Sequence, residues 1–132
     1  MIEVNNLTRN KISKAFLKKV AEVVLRGENQ QTKELSVALV SQKKVAELNK
    51  KYRKKDKVAN VLSFSVPELG LGEVMICPQE VKKEAEKYGM IFEQALAWML
   101  VHGILHLLGY DHIKASDAKR MEQKERRYLS RI

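Results

Sequence analysis

The sequence predicts an α+β fold, with about four short strands in a mixed sheet and helices packed around one central apolar helix. Short strand-like segments, one of which alternates apolar and polar residues, are interspersed with segments of helical periodicity. Residues 95–108 are apolar on almost every side, which is typical of a buried, central helix. The length of 132 residues fits one domain, and no repeat or low-complexity linker divides it, so we expect a single domain over residues 1–132.

Four short segments are predicted to be strands. The clearest is residues 34–40, in which Leu35, Val37 and Leu39 fall on one face. Pro67 and Gly70 mark a turn before the last of the four. The predicted strands cover residues 2–8, 34–40, 60–66 and 71–77.

The remaining periodic segments are predicted to be helices. Ser41 and Ser116 suit the N-cap positions of the second and the last. Pro78 suits the first position of the third helix, and Gly89 ends it. The predicted helices cover residues 10–26, 41–53, 78–87 and 91–108, and the stretch from 116 to the C-terminus.

Composition narrows the class of protein. The formal net charge of +9 favours a polyanionic partner such as RNA or DNA, although such a charge also serves solubility alone. Residues 95–108 are too short, and too polar at two points, to span a bilayer, and no signal-peptide pattern opens the chain. The single cysteine, Cys77, excludes an internal disulfide framework. We therefore expect a cytoplasmic protein that is not in a membrane.

The three histidines of the chain lie within eleven residues, in the segment HGILHLLGYDH. His102 and His106 are four apart, so on a helix they share a face and can bind one ion. Gly109 can end that helix in a left-handed conformation and let His112 return as a third ligand. A single histidine on an apolar helix is more often a core residue, but burying two unpaired imidazoles is costly.

Three nitrogen ligands and an open position are typical of a catalytic zinc site. We therefore predict one zinc ion at His102, His106 and His112. Three histidines also suit nickel, cobalt or copper, and the sequence does not choose among them.

The histidine spacing also matches the long motif of zinc proteases, HExxHxxGxxH. In those proteases, the glutamate after the first histidine is the general base that activates water. Gly103 stands at that position here and has no side chain that could take a proton. The spacing therefore predicts the metal site and disfavours peptidase chemistry.

The segment HGILHLLGYDH resembles the signature of the YbeY family, bacterial metal-dependent endoribonucleases that act in ribosomal RNA maturation. Further matches cover about residues 34–126. They are Leu48-Asn49 with Tyr52-Arg53, Lys55-Asp56, Asn60-Val61-Leu62-Ser63-Phe64, Leu71-Gly72-Glu73-Val74, and Met121-Glu122 with Glu125. Val58, Ala59, Ser65 and Glu73 depart from the family's usual Pro, Thr, Pro and Asp, and none of them is a predicted ligand.

The resemblance implies a metal site at the three histidines, a functional arginine at Arg53, a single-stranded RNA substrate and work on or near the small ribosomal subunit. The basic run from residue 43 to 57 agrees with a polyanionic substrate, since it can neutralise several phosphates. The guanidinium of Arg53 can bind a phosphate through two hydrogen bonds. We assign weaker RNA-binding roles to Lys50, Lys51, Lys54 and Lys55, for each of which a solvated helix face is the simpler interpretation.

Three functions remain open at the level of sequence. The first is a zinc-dependent endoribonuclease for ribosomal RNA. The second is a metallopeptidase or another metallohydrolase, of which the peptidase is disfavoured by Gly103. The third is a ribosome-associated binding or assembly factor whose metal is structural, which the basic run supports equally well. The oligomeric state is not predicted.

Overall fold

The computed structural model describes residues 1–53, 60–66, 68, 70–110 and 113–132, without the side chains of residues 52 and 53. Within these ranges the chain forms four strands and five helices, which confirms the predicted α+β class. In chain order they are β1 (Ile2–Asn6), α1 (Lys14–Gly27), β2 (Leu35–Leu39), α2 (Gln42–Arg53), β3 (Val61–Ser65), β4 (Gly72–Ile76), α3 (Pro78–Tyr88), α4 (Phe92–Leu107) and α5 (Ala115–Leu129).

The strands form one mixed sheet in the order β1-β2-β4-β3. β1, β2 and β4 are parallel, and β3 runs antiparallel to β4 at one edge. Parallel neighbours need a crossover connection, and α1 supplies it between β1 and β2. The register places Val61 and Ser63 of β3 on the same sheet face as Val74 and Ile76 of β4.

The main core lies between that face of the sheet and helices α1 and α4. Leu35, Val37 and Leu39 of β2 point into it and are buried, as predicted from their alternation. Helix α4 contacts α1, α3, α5, β3 and β4, and most of its residues are buried. The prediction of a central apolar helix is confirmed.

The opposite face of the sheet packs against α2. Val45 of α2 is buried there with Ala38, Leu62 and Cys77. Burial raises the pKa of the Cys77 thiol, so this side chain stays protonated and acts as a small apolar residue. The two-sided covering explains why β2 is apolar at consecutive positions near its end.

Helix α1 begins later than its apolar periodicity predicts. The helix starts at Lys14, because the side chain of Ser13 accepts a hydrogen bond from the amide of Phe16 and caps it. Before the cap, the side chain of Asn6 bonds the main chain of Thr8 and Asn10 and holds a turn. The predicted start near residue 10 was therefore wrong.

The other predicted caps have mixed outcomes. Ser41 accepts a hydrogen bond from the amide of Lys44 at 3.2 Å, which confirms its role as N-cap of α2. Ser116 is not the cap of α5, because the helix already begins at Ala115 after an extended Lys114. The N-cap is Lys114, two residues before the predicted position.

Helices α3 and α4 meet at a sharp turn. Gly89 adopts the left-handed conformation, with φ 63°, and ends α3 as predicted. In the part of the chain that the structure describes, no single helix is both long and apolar enough to cross a membrane. α3 and α4 meet those limits only as a pair, bent by 113°.

Candidate metal centre

Helix α4 presents two histidines one turn apart on its partly exposed side. The Nε2 atoms of His102 and His106 lie 3.0 Å apart, and their rings meet edge to face with centroids 4.5 Å apart. The side chain of His102 is 25% exposed, so the pair can be reached from solvent. The structure thus brings together two of the three predicted ligands, and His112 lies outside the described residues.

The Nδ1 atom of His102 is held by a carboxylate from another helix. Oε1 of Glu125, on α5, lies 3.1 Å from this nitrogen. The other oxygen of Glu125 accepts a hydrogen bond from the indole nitrogen of Trp98 at 3.3 Å. Glu125 is only 8% exposed, so both of its oxygens are committed to neighbours in a buried position. Such a carboxylate fixes the ring orientation of a metal-binding histidine.

The Nδ1 atom of His106 is held by a main-chain carbonyl. The oxygen of Tyr110 lies 3.1 Å from this nitrogen. The carbonyl reaches it because Gly109 adopts φ 97°, the left-handed conformation expected from its position, and turns the chain back over the helix end. The amides of Gly109 and Tyr110 donate to the carbonyls of His106 and Leu105 at 3.0 Å each, which fixes the turn.

These contacts favour one tautomer of each imidazole, with the proton on Nδ1. A carbonyl only accepts hydrogen bonds, and an ionised carboxylate does the same, so both Nδ1 atoms are donors. In a neutral imidazole the other nitrogen then carries a lone pair. When both rings are neutral with their protons on Nδ1, the Nε2 atoms of His102 and His106 direct two lone pairs at each other across 3.0 Å. A cation shared between them removes this repulsion.

The donor set fits a zinc-type ion. Two imidazole nitrogens at ordinary zinc bond lengths around a tetrahedral centre lie about 3.3 Å apart. The observed 3.0 Å between the Nε2 atoms of His102 and His106 is close to that value. Within the described ranges, which do not include His112, no group of three or more potential ligands comes together. The third position thus stays a prediction from the sequence.

Gly103 has a packing role that its sequence position did not reveal. A Cβ at this position would lie 2.7 Å from Cγ1 of Val74, 3.1 Å from Cγ2 of Val61 and 3.2 Å from Oγ of Ser63. The hydroxyl of Ser63 also donates a hydrogen bond to the carbonyl of Gly103 at 2.9 Å. Position 103 therefore faces the sheet closely, and the absence of a side chain there lets α4 approach β3 and β4.

A second, partly buried carboxylate lies behind the turn that follows α4. Glu28, just after α1, accepts hydrogen bonds from the hydroxyl of Tyr110 at 2.6 Å, from the hydroxyl of Tyr128, and from the ammonium of Lys124 at 3.1 Å. Burial alone would raise the pKa of Glu28, but these three donors together lower it. Burial and the bond to Glu28 both raise the pKa of Tyr128, so its hydroxyl stays neutral.

The remaining predicted site residues are placed less completely. Lys50 and Lys51 are exposed on α2, and Arg53 is the last residue of that helix, with its side chain outside the described part. Lys54 and Lys55 lie outside the described residues. The roles of all five in RNA binding or catalysis stay predictions.

Several residues of the site were not predicted from the sequence. Glu125 belongs to a matched motif, but no role was assigned to it, and it reaches His102 across 23 positions. Ser63 likewise belongs to a matched motif without an assigned role. Glu28 and Tyr110 are 82 positions apart, and nothing local in the sequence connects them.

The fold and the site together define a class of small α+β protein in which a buried central helix presents two oriented imidazoles at an accessible point. A family model described as endoribonuclease YbeY matches residues 2–132. The chain therefore belongs to the YbeY family.

Relatives in bacteria support this membership. The endoribonuclease YbeY of Ruthia magnifica is 43% identical over 122 residues, covering 88% of this chain and 81% of the relative. The endoribonuclease YbeY of Syntrophotalea carbinolica is 36% identical over 143 aligned positions, covering 100% of this chain and 95% of the relative. The solution structure of a Thermotoga maritima protein has 30% identity and a TM-score of 0.70, covering 98% of this chain and 87% of that one.

Proposed function

We propose that this protein is a zinc-dependent endoribonuclease that cuts single-stranded RNA and acts in the cytoplasm in ribosomal RNA maturation and ribosome quality control. Family membership supports the nuclease class, because the matching relatives are named endoribonucleases. The observation that supports the metal is the pair of facing Nε2 atoms of His102 and His106, each ring oriented through its Nδ1 atom. His112 is proposed as the third ligand, from its spacing in the sequence.

Different residues of the chain have different proposed roles in hydrolysis. When bound, a zinc-type ion polarises a phosphoryl oxygen and lowers the pKa of a coordinated water to about 7. Glu125 and the Tyr110 carbonyl hold the two imidazoles so that their Nε2 atoms stay directed at one point. Arg53 is proposed to stabilise charge that builds up on the phosphate in the transition state. Gly103 cannot act as the base.

The direct test is cleavage of an end-labelled single-stranded RNA. The intact protein should cut it in the presence of zinc, stop when a chelator is added and resume when zinc is restored. Matched substrates are the same strand as DNA and the RNA annealed to its complement, which should be cut far more slowly. A His106→Ala protein purified in parallel controls for contaminating nucleases. Equal cutting by both proteins would refute the assignment of the site.

The RNA-binding role of α2 has its own test, using a matched pair of double variants. Lys50→Ala with Lys51→Ala removes two exposed charges from α2, and Lys18→Ala with Lys19→Ala removes two exposed charges from α1. If α2 contacts the phosphates, the first pair should reduce the slope of log affinity against log salt by about 1.4, at about 0.7 per phosphate contact on a single strand. The second pair should leave the slope unchanged. If the two pairs change the slope equally, α2 contributes only to the overall positive charge and makes no specific phosphate contacts.

The proposed place of action is the small ribosomal subunit. The net charge of +9 and the exposed lysines of α2 support binding to ribosomal RNA. Cells that depend on the His106→Ala protein should accumulate ribosomal RNA with unprocessed ends, which sequencing of those ends would detect. Normal ends in such cells would show that the protein does not process the ends of ribosomal RNA.

A second candidate is a ribosome-associated assembly factor in which the metal is structural. The basic surface favours it as much as it favours the nuclease, because binding requires only charge. It predicts that the protein binds RNA or ribosomes without cutting any strand. The peptidase is disfavoured more strongly, because position 103 faces Val74 and Val61, so a glutamate there would meet the sheet. Cleavage of casein by the intact protein would revive it.

A further inference from the structure

The turn after α4 connects two features described above. The side chain of Tyr110 reaches Glu28, and the main-chain carbonyl of the same residue reaches Nδ1 of His106. One residue thus links a partly buried carboxylate at the end of α1 to a proposed metal ligand. His102 is oriented by the carboxylate of Glu125 directly, at 3.1 Å. Nδ1 of His106 is oriented by the main-chain carbonyl of Tyr110, also at 3.1 Å.

We propose that Glu28 is a positioning residue for His106, and that it acts through the hydroxyl and then the carbonyl of Tyr110. The proposal rests on the proposed metal site, but not on RNA cleavage. Its chain of contacts is short: Glu28 Oε1 to the Tyr110 hydroxyl at 2.6 Å, and the Tyr110 oxygen to His106 Nδ1 at 3.1 Å.

The surroundings of Glu28 make it a firm anchor. Its side chain is 11% exposed. Glu28 follows the end of α1, and its carboxylate contacts residues of the turn after α4 and of α5. Tyr128 and Lys124 of α5 hold the second oxygen of Glu28, which leaves the first oxygen for Tyr110. The donors lower the pKa of Glu28, so it is an ionised acceptor at neutral pH.

Without this anchor, the turn keeps its main-chain bonds but loses the restraint on the side chain of Tyr110. Gly109 imposes little restraint of its own, because glycine adopts many conformations. The carbonyl of Tyr110 would then hold Nδ1 of His106 for less of the time. The ring would populate the other tautomer, in which Nε2 carries the proton and cannot bind a metal.

Two matched variants separate this role from simple stabilisation. Tyr110→Phe and Tyr128→Phe each delete one hydroxyl that donates to Glu28, and each keeps its ring. Only Tyr110 continues to His106 through its main chain. Glu28→Ala removes the anchor completely, and Glu28→Gln keeps one acceptor oxygen and serves as the conservative rescue.

The experiment measures the imidazole tautomers of the metal-free protein by long-range proton–nitrogen NMR, which is tractable because the chain has three histidines. The same proteins are titrated with cobalt, and its visible spectrum gives the affinity. In Tyr110→Phe and Glu28→Ala we expect His106 to shift toward a mixture of tautomers and cobalt affinity to fall about tenfold, at the lower end of outer-shell effects. In Tyr128→Phe both should stay as in the intact protein, and Glu28→Gln should lie in between.

Two results would overturn the proposal. Either Tyr110→Phe leaves the His106 tautomer and the cobalt affinity unchanged, or Tyr128→Phe alters both as much as Tyr110→Phe does. Thermal melting of each variant shows whether an effect follows stability alone. If the intact protein binds no cobalt, the proposed metal site fails, and the tautomer comparison still decides the role of Glu28. RNA cleavage enters neither measurement.

Discussion

Replacing Gly103 by alanine tests how the histidine-bearing helix is seated on the sheet. The new Cβ would lie 2.7 Å from Cγ1 of Val74, where ordinary contacts are 3.4–4 Å. Val61 and Ser63 close the space on two further sides, at 3.1 and 3.2 Å. Overpacking of this kind costs about 1–3 kcal/mol, and three close contacts favour the upper half of that range. Alanine regains about 1 kcal/mol of helix propensity.

We therefore expect Gly103→Ala to lower the free energy of unfolding by about 1–2 kcal/mol. For a chain of this size, that lowers the melting temperature by about 3–10 °C. Urea denaturation and thermal melting, both followed by circular dichroism, give the two quantities. A stabilised Gly103→Ala protein would show that propensity outweighs packing and that the close approach to the sheet is wrong.

A double-mutant cycle isolates the contact itself. Val74→Ala removes the methyl group that the new Cβ would meet, and alone it should cost about 2 kcal/mol through lost burial and a cavity. In the double variant the alanine methyl at 103 occupies part of that cavity. The double variant should therefore be more stable than the sum of the single effects predicts, by at least about 1 kcal/mol. Additivity within about 0.5 kcal/mol would refute the argument.

Three other predictions follow from the site. Glu125→Gln leaves one acceptor oxygen for two donors, His102 and Trp98. Zinc affinity, measured by calorimetry, should therefore fall about 10–100-fold. An unchanged affinity would contradict the orienting role of Glu125. The pKa of Glu28 is lowered in the folded state, so its contribution to stability is present above the ordinary value of 4.5 and is lost as the pH falls through the folded value. Glu28→Gln should flatten the acid side of a plot of unfolding free energy against pH, and an unaltered slope would count against the ionised anchor. Arg53→Ala should reduce the RNA cleavage rate by about 10²–10³ while zinc affinity stays the same, and full activity would remove Arg53 from the mechanism.

The sequence predicted the parts of the site that depend on local geometry. The spacing of His102 and His106 sets two imidazoles on one helical face, and the structure brings their Nε2 atoms to 3.0 Å. Gly109 was predicted to be left-handed, and it is, because a sharp helix end leaves few alternatives. The apolar character of residues 95–108 predicted the central helix, because a helix that is buried on all sides has apolar residues on all sides.

The long-range contacts could not be predicted in this way. Glu125 reaches His102, and Glu28 reaches Tyr110, only because the sheet and the packing of α1 and α5 bring distant segments together. Periodicity reports which face of an element is buried, but not which neighbour covers it. The packing role of Gly103 could not be predicted from the sequence either, because it depends on the sheet register of β3 and β4.

Strand order is a further example. The sequence predicted four strands, but the order β1-β2-β4-β3 and the antiparallel edge strand depend on how the crossovers pack. That edge strand carries Ser63 beside Gly103, so the topology itself contributes to the site.

The measurement that tests the central claim most directly is RNA cleavage during a zinc titration of the metal-free protein. The rate of cutting a fluorescent single-stranded RNA is followed as zinc is added in fractions of an equivalent. If His102 and His106 hold one catalytic ion, the rate should rise linearly and level off at about one zinc per chain. The His106→Ala protein should stay at background throughout. A rate that does not depend on zinc, or that is equal in the two proteins, would contradict the account.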